Sequence, residues 1–178
     1  MWIEAFDMLF ERLKESPDVD LSKVSAVSGS GQQHGSIYWR KGAAKTLENM
    51  TPDKAMAPQL EGSFCMDQSP IWADASTGAV KSCAMLEAAM GGADALAGIT
   101  GSSAYPRFTG NQVYRLGDSI DRCERLALVS SFCASLLLGM YPPVDCSYGS
   151  GMNLLDIKSC CLDTRALSTF KLTESLLG

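Results

Sequence analysis

The sequence predicts a mixed sheet protein of the α/β or α+β class, and its first forty residues carry most of that expectation. They read as an amphipathic helix, a largely buried strand, a tight polar corner and a second strand. Further on, apolar residues at helical spacing alternate with apolar runs of strand length. A chain of 178 residues, 46% hydrophobic and 20% charged, fits one folded domain that would bury about 70% of the surface its unfolded chain exposes.

In the first helix Trp2, Phe6, Leu9, Phe10 and Leu13 fall on one stripe, with Glu4, Asp7, Glu11, Arg12 and Glu15 mostly elsewhere. Ser16-Pro17 ends it, because the residue before a proline is driven out of the helical region. The first strand is expected over Lys23-Val-Ser-Ala-Val-Ser28, where Val24, Ala26 and Ser28 alternate with Ser25 and Val27. The glycine-rich corner Gly29-Ser-Gly31-Gln-Gln-His-Gly35 follows, then the second strand, Ser36-Ile-Tyr-Trp-Arg40. Residues 41–68 lack a clear period and read as a surface excursion with one short helix. Order is expected again from Ser69 to Asp74. Ser76 or Thr77 can then cap a helix carrying Val80, Cys83, Leu86 and Met90 at core spacing. Gly91-Gly92 stops that helix, Ala93 to Ile99 gives another, and Thr100 to Thr109 is a loop around Pro106. Leu126 to Val129 suits a buried strand, Phe132 to Leu138 a helix, Gly139 with Pro142-Pro143 a turn, and Met152 to Ile157 a last strand. The tail from Lys158 to Gly178 carries weak order signals, and no internal repeat is visible.

Fifteen basic against 20 acidic residues give a net charge of −5, which argues against nucleic acid or an anionic membrane surface as the main partner. The uncharged run from Leu126 to Val144 has the length of a spanning helix, about 19 residues. Its content fails, because Ser130, Ser131, Ser135, Gly139, Pro142 and Pro143 interrupt it. Seven cysteines without a CxxC pair, beside a single histidine, make a structural zinc site improbable. Their odd number, the adjacent Cys160 and Cys161, and the absence of a signal peptide pattern point to reduced thiols and a cytoplasmic setting.

The corner from Gly29 to Gly35 packs four hydrogen-bonding side chains and three glycines into seven positions. It is neither a dinucleotide fingerprint, since the expected third glycine is His34, nor a P-loop, which ends in Gly-Lys-Ser/Thr. Gln32, Gln33 and His34 offer amide and imidazole donors and acceptors, a set suited to a neutral polyol or sugar, although His34 could equally tie down a turn. No catalytic residue stands out: there is no Gly-x-Ser-x-Gly elbow, and no cysteine is distinguished as a nucleophile. The pairs Asp118 with Asp121 and Glu87 with Asp94 read as solvated helix faces. Arg107 differs. In the aromatic-flanked loop Tyr105-Pro-Arg-Phe108 its guanidinium could reach a polar ligand, with a plain surface arginine the alternative.

Four separated blocks, Ser28 to Trp39, Ser69 to Thr77, Arg107-Phe-Thr-Gly-Asn-Gln112 and Leu128-Val-Ser-Ser-Phe132, occur in an order that resembles the FGGY carbohydrate kinase family, in its eukaryotic xylulokinase branch. Asp145-Cys-Ser-Tyr-Gly-Ser-Gly-Met-Asn-Leu-Leu155 extends the resemblance. It implies an actin-like ATPase, ribonuclease H-like α/β domain, incomplete here, with residues 1–157 a partial N-terminal kinase domain and 158–178 a divergent tail. It also implies transfer of the γ-phosphoryl group of ATP, with Mg²⁺, to the 5-hydroxyl of D-xylulose or a related ketose, with His34 and Arg107 contacting the sugar and Gln33 a weaker third. Trp72, Asp74 and Asp145 are expected to be architectural. The family's Asp-x-Gly-Thr turn and Gly-Asp-Asn base motif do not occur in this sequence, Tyr148 stands where relatives often carry an acid, and the connection from Gln112 to Glu124 looks shortened. The resemblance therefore implies a fragment that does not catalyse alone, the alternative being a non-catalytic sugar-binding remnant.

Overall fold

The computed structural model describes residues 1–65 and 77–178. The expected ordered stretch from Ser69 to Asp74, with Trp72, and the candidate cap Ser76 lie outside them. In chain order the elements are α1 (Trp2–Glu15), β1 (Ser36–Arg40), α2 (Ala43–Glu48), α3 (Met56–Gln59), α4 (Thr77–Met90), α5 (Ala93–Thr100) and α6 (Thr109–Val113). Then come β2 (Cys123–Leu128), α7 (Val129–Leu138), α8 (Cys146–Gly149), β3 (Leu155–Asp156), β4 (Cys161–Leu162), α9 (Thr164–Thr169) and α10 (Glu174–Leu177). No helix among the described residues is long and apolar enough to cross a membrane.

The centre is an antiparallel ribbon in which Ser36 faces Leu128, Ile37 faces Ala127 and Tyr38 faces Leu126. Because side chains alternate across a strand, the ribbon divides the interior in two. Tyr38, Leu126 and Leu128 point into one core with Leu86, Met90, Leu96, Val113, Met152 and Leu154. Ile37, Trp39, Ala127 and Val129 point into the other with Ala43, Leu47, Leu60, Phe132 and Leu136. Trp39 is fully buried, with ring centroids 4.8 Å from Phe64, 5.5 Å from Phe132 and 5.4 Å from Tyr141.

Two carboxylates fasten outlying helices by capping them from a distance, each supplying an anion to N–H groups that a helix start leaves without partners. Asp7 on α1 accepts from the N–H groups of Met56 and Ala57 at 2.7 and 2.9 Å, the first turn of α3. Asp7 therefore faces inward, not away from the core, and α1 leans on the second core through Trp2, Ile3 and Phe6, leaving Leu9 half exposed. Glu124 does the same for α2, accepting from Gly42 and Ala44 N–H at 2.6 and 2.7 Å and from the Tyr141 hydroxyl at 2.8 Å.

Five expectations need correction. Lys23 to Ser28 is not a paired strand: Leu21–Lys23 forms a 3₁₀ turn, the chain beyond it makes no ladder, and Val24 and Val27 are exposed. The reason lies in the ribbon, whose β1 edge is occupied instead by Ser63 to Cys65: Arg40 N–H donates to Ser63 O at 2.9 Å and Cys65 N–H to Tyr38 O at 2.8 Å. Residues 41–65 hold two short helices, and Ala43, Leu47 and Leu60 belong to the core. The stretch from Met152 to Ile157 yields only the two-residue strand β3, after a 3₁₀ turn and a left-handed Asn153. The tail is ordered, with Ala166, Leu167, Phe170, Leu172 and Leu177 buried in the first core. Val80, assigned to the core side of α4, is half exposed, whereas Cys83, Leu86 and Met90 are buried as expected.

Candidate functional site

The glycine-rich corner is held where it is by close packing at Gly31. A Cβ there would lie 2.4 Å from the backbone nitrogen of Ser130 and 2.8 Å from the carbonyl carbon of Val129, so the corner rests directly on the first turn of α7. From that contact the chain turns through Gln33, which is exposed, and His34, which is half buried and adopts the left-handed conformation with φ of 65°. A non-glycine residue there is uncommon, and such local strain clusters at functional positions. Gly35 and Ser36 are buried at once, and β1 begins.

The loop carrying Arg107 meets this corner through Phe108. The His34 and Phe108 ring centroids are 5.4 Å apart, Phe108 packs edge-on to Tyr105 at 5.6 Å, and the Arg107 guanidinium carbon lies 5.9 Å from the Tyr105 ring centre. His34 and Arg107, far apart in sequence, thus each border one of two rings packed together, Phe108 and Tyr105. Burial first, and the Arg107 charge second, hold the His34 imidazole below its ordinary value of 6.5. A neutral imidazole offers one N–H donor and one nitrogen acceptor, and Arg107 adds donors alone. Together they can grip vicinal hydroxyls, which both donate and accept.

The loop itself is clamped from beneath. Gly110 lies against Leu154, where a Cβ would be 2.8 Å from Leu154 Cδ2 and 3.0 Å from Met152 O. Asn111 Nδ2 donates to Tyr105 O at 3.1 Å and to Asn153 Oδ1 at 3.1 Å, and Gln112 Nε2 donates to Pro106 O. Glu87 Oε1 accepts from Ala104 N–H at 3.2 Å, so this carboxylate has a loop-holding contact rather than belonging only to a solvated face. Asp94, Asp118 and Asp121 are exposed. Asp145 caps α8, accepting from Tyr148 N–H at 2.9 Å. The supporting roles of Asn111 and Asn153 went unread in the sequence. The available signal was a polar residue inside the apolar run Met152-Asn-Leu-Leu155.

A groove of about 800 Å³ runs elsewhere, between α1, the α2–α3 connection and the end of α7, lined by Phe10, Met50, Met56 and Leu137 among others. It contains neither Gln33, His34 nor Arg107, and of its carboxylates Asp7 is already engaged by α3. Among the described residues no three His, Cys, Asp or Glu side chains gather to hold a metal ion.

The chain is similar in sequence to several xylulose kinases. No family model matches the chain. A xylulose kinase of Rattus norvegicus is 48% identical over 175 residues, a match spanning 93% of this chain and 32% of the relative. Xylulose kinase 2 of Arabidopsis thaliana is 47% identical over 171 residues, spanning 94% of this chain and 30% of the relative. The chain thus spans about a third of the length of the curated relatives it matches. Among solved structures, a xylulose kinase from Bifidobacterium adolescentis superposes with a TM-score of 0.67 at 16% identity, over 98% of this chain and 36% of that one. A gluconate kinase from Lactobacillus acidophilus superposes at 0.65 and 17% identity, over 98% of this chain and 31% of that one. The fold is therefore the actin-like ATPase fold of sugar kinases, present in part.

Proposed function

We propose, the chain being homologous to the xylulose kinases over nearly its whole length, that it carries the sugar-recognising part of an enzyme transferring the γ-phosphoryl group of ATP to D-xylulose. In this reading His34 and Arg107 hold the ketose hydroxyls, with Gln33 a peripheral third contact. ATP and sugar give ADP, the sugar phosphate and a proton. In this reading the part taken by these residues is binding and orientation, which is where a phosphoryl-transfer enzyme obtains much of its rate. The observation that carries the reading is that His34 and Arg107 border the packed rings of Phe108 and Tyr105. A hydroxyl-rich ligand is selected by polar groups that a wrong ligand would leave without partners.

His34 is the only histidine in the chain, so its imidazole resonances report on the site without assignment. Titration of the 178-residue chain with D-xylulose should shift them. His34→Ala removes the probe, so its binding is followed by calorimetry. His34→Ala and Arg107→Ala should each weaken binding by roughly 5- to 150-fold, the equivalent of about 1 to 3 kcal/mol per hydrogen-bonding group. Absence of a shift in the folded wild-type chain, or unchanged affinity in both variants, overturns the reading. Catalysis is tested by a chimera in which this chain replaces the matching third of the Rattus norvegicus enzyme. Phosphorylation of D-xylulose, with the Michaelis constant for the sugar raised by Arg107→Ala, is the expected result.

A further inference from the structure

We propose that Asn153 is the positioning residue that sets the Arg107 loop against His34. The inference rests on the reading of His34 and Arg107 as the sugar contacts, and it concerns a side chain that touches neither of them. Asn153 is fully buried between the 3₁₀ turn Ser150–Met152 and β3, with a left-handed φ of 56°. Its amide reaches three separate points of the connection from α5 to α6. Oδ1 accepts from Tyr105 N–H at 3.3 Å and from Asn111 Nδ2 at 3.1 Å. Nδ2 donates towards Thr100 Oγ1 and Ser102 Oγ, both at 3.3 Å. One side chain therefore ties the start, the middle and the far end of the loop that presents Arg107.

Its influence passes through two further hydrogen bonds. Tyr105 O accepts from Asn111 Nδ2 and also from Phe108 N–H at 3.0 Å, which closes the turn containing Pro106 and Arg107. Phe108 is the ring against His34. Asparagine suits the position on two counts. The loop presents donors on one side, and on the other side Thr100, whose hydroxyl proton is committed to the carbonyls of Leu96 and Ser102 at 3.2 and 3.0 Å, leaving only a lone pair for Nδ2. A neutral amide supplies an acceptor and a donor at matching ends. Asparagine also tolerates the left-handed backbone far better than an apolar residue of its size.

The decisive variant is Asn153→Gly, which keeps the left-handed backbone and deletes the amide. In the 178-residue chain three quantities are read: the melt, the pH titration of the His34 imidazole and the D-xylulose response. Positioning predicts a cooperative melt, a His34 titration moved upward as Phe108 and Arg107 draw away, and D-xylulose binding weaker by roughly ten- to a hundredfold. A folded Asn153→Gly chain with the wild-type His34 titration and sugar affinity overturns the proposal. Should that variant lose its cooperative melt, Thr100→Val takes its place, because it withdraws an acceptor from Nδ2 without adding charge. A smaller upward shift of the titration is expected there, and an unchanged titration overturns the proposal. If the wild-type chain ignores D-xylulose, the sugar reading alone has failed, and the His34 titration still decides whether Asn153 positions the loop.

Discussion

Adding one methyl group at Gly31 separates packing from every other property of the corner. A Cβ at this position would stand 2.4 Å from Ser130 N, whereas ordinary contact begins at 3.4 Å. The obstacle is backbone at the first turn of a helix, so the corner must retreat by about 1 Å, the difference between those two distances. Overpacking of this kind costs about 1 to 3 kcal/mol, which for a chain of this size lowers Tm by roughly 2 to 12 °C. Displacing His34 by the same distance should weaken sugar binding by up to about a hundredfold. Gly29→Ala is the matched control, since nothing lies within 4 Å of its Cβ and its φ is not in the left-handed region. That substitution should leave Tm unchanged or raise stability by about 0.4 to 1 kcal/mol through the unfolded chain. Thermal melts of both variants, with the His34 titration read in parallel, make the comparison. Equal melts and equal titrations for Gly31→Ala and Gly29→Ala would refute the claim that the corner is seated on α7.

Glu124 supplies a pH-dependent prediction. Burial works against its ionisation, but the N–H of Gly42, the Tyr141 hydroxyl and the N–H groups of Ala44 and Ala43 outweigh it and hold its carboxyl below the ordinary 4.5. The stability from that shift is present above the unfolded value and lost as pH falls through the folded one. Glu124→Gln should therefore cost about 1 kcal/mol near neutrality, discounted for partial exposure. The gap from wild type should narrow below about pH 4 in urea titrations, and a gap independent of pH counts against the capping role. Trp39→Ala should cost about 3 to 5 kcal/mol. Trp39→Phe should cost well under half of that, because Trp39 Nε1 is a buried donor without an acceptor among the described residues and its removal recovers part of the packing loss; equal losses in denaturant would argue against this. Leu177→Ala, in the last helix, should lose about 2 to 5 kcal/mol if the tail completes the first core, and a loss below about 0.5 kcal/mol would show the tail to be a surface appendage.

The elements that were legible in the sequence are those whose evidence is local. β1 and β2 declare themselves by apolar runs, and α4 and α5 by spacing and by the glycines at 91, 92 and 101 with positive φ. What the sequence hid depends on partners. Val24 to Ser28 alternates as a strand should, yet a strand exists only with a neighbour to pair with, and the edge of β1 is taken by residues 63–65. Helices of four to six residues, such as α2, α3 and α9, are too short to display a period, so Leu47, Leu60 and Leu167 give no warning that they are buried. The site divides in the same way. Dense polar residues among glycines expose His34, and aromatic flanks expose Arg107, but Asn153 acts on a loop about fifty residues upstream, a relation that no local pattern records.

The position of the site follows from the register of the ribbon. Ser36 pairs with Leu128, so β1 begins where β2 ends. The corner leading into β1 and the first turn of α7 leaving β2 are thereby brought to the same end, where Gly31 lets them touch. A slip of one residue would exchange the two cores and carry the corner away from that turn. The ribbon accordingly fixes where the corner and the loop stand. A gluconate kinase and a xylulose kinase superpose on this chain about equally well, at TM-scores of 0.65 and 0.67, so the backbone is common to both. On the reading proposed above, the sugar is held by side chains at that end of the ribbon, His34 and the clamped loop bearing Arg107. Asn153 has its leverage for this reason: the scaffold is common property, whereas the distance between two polar groups is set by the hydrogen bonds beneath one of them.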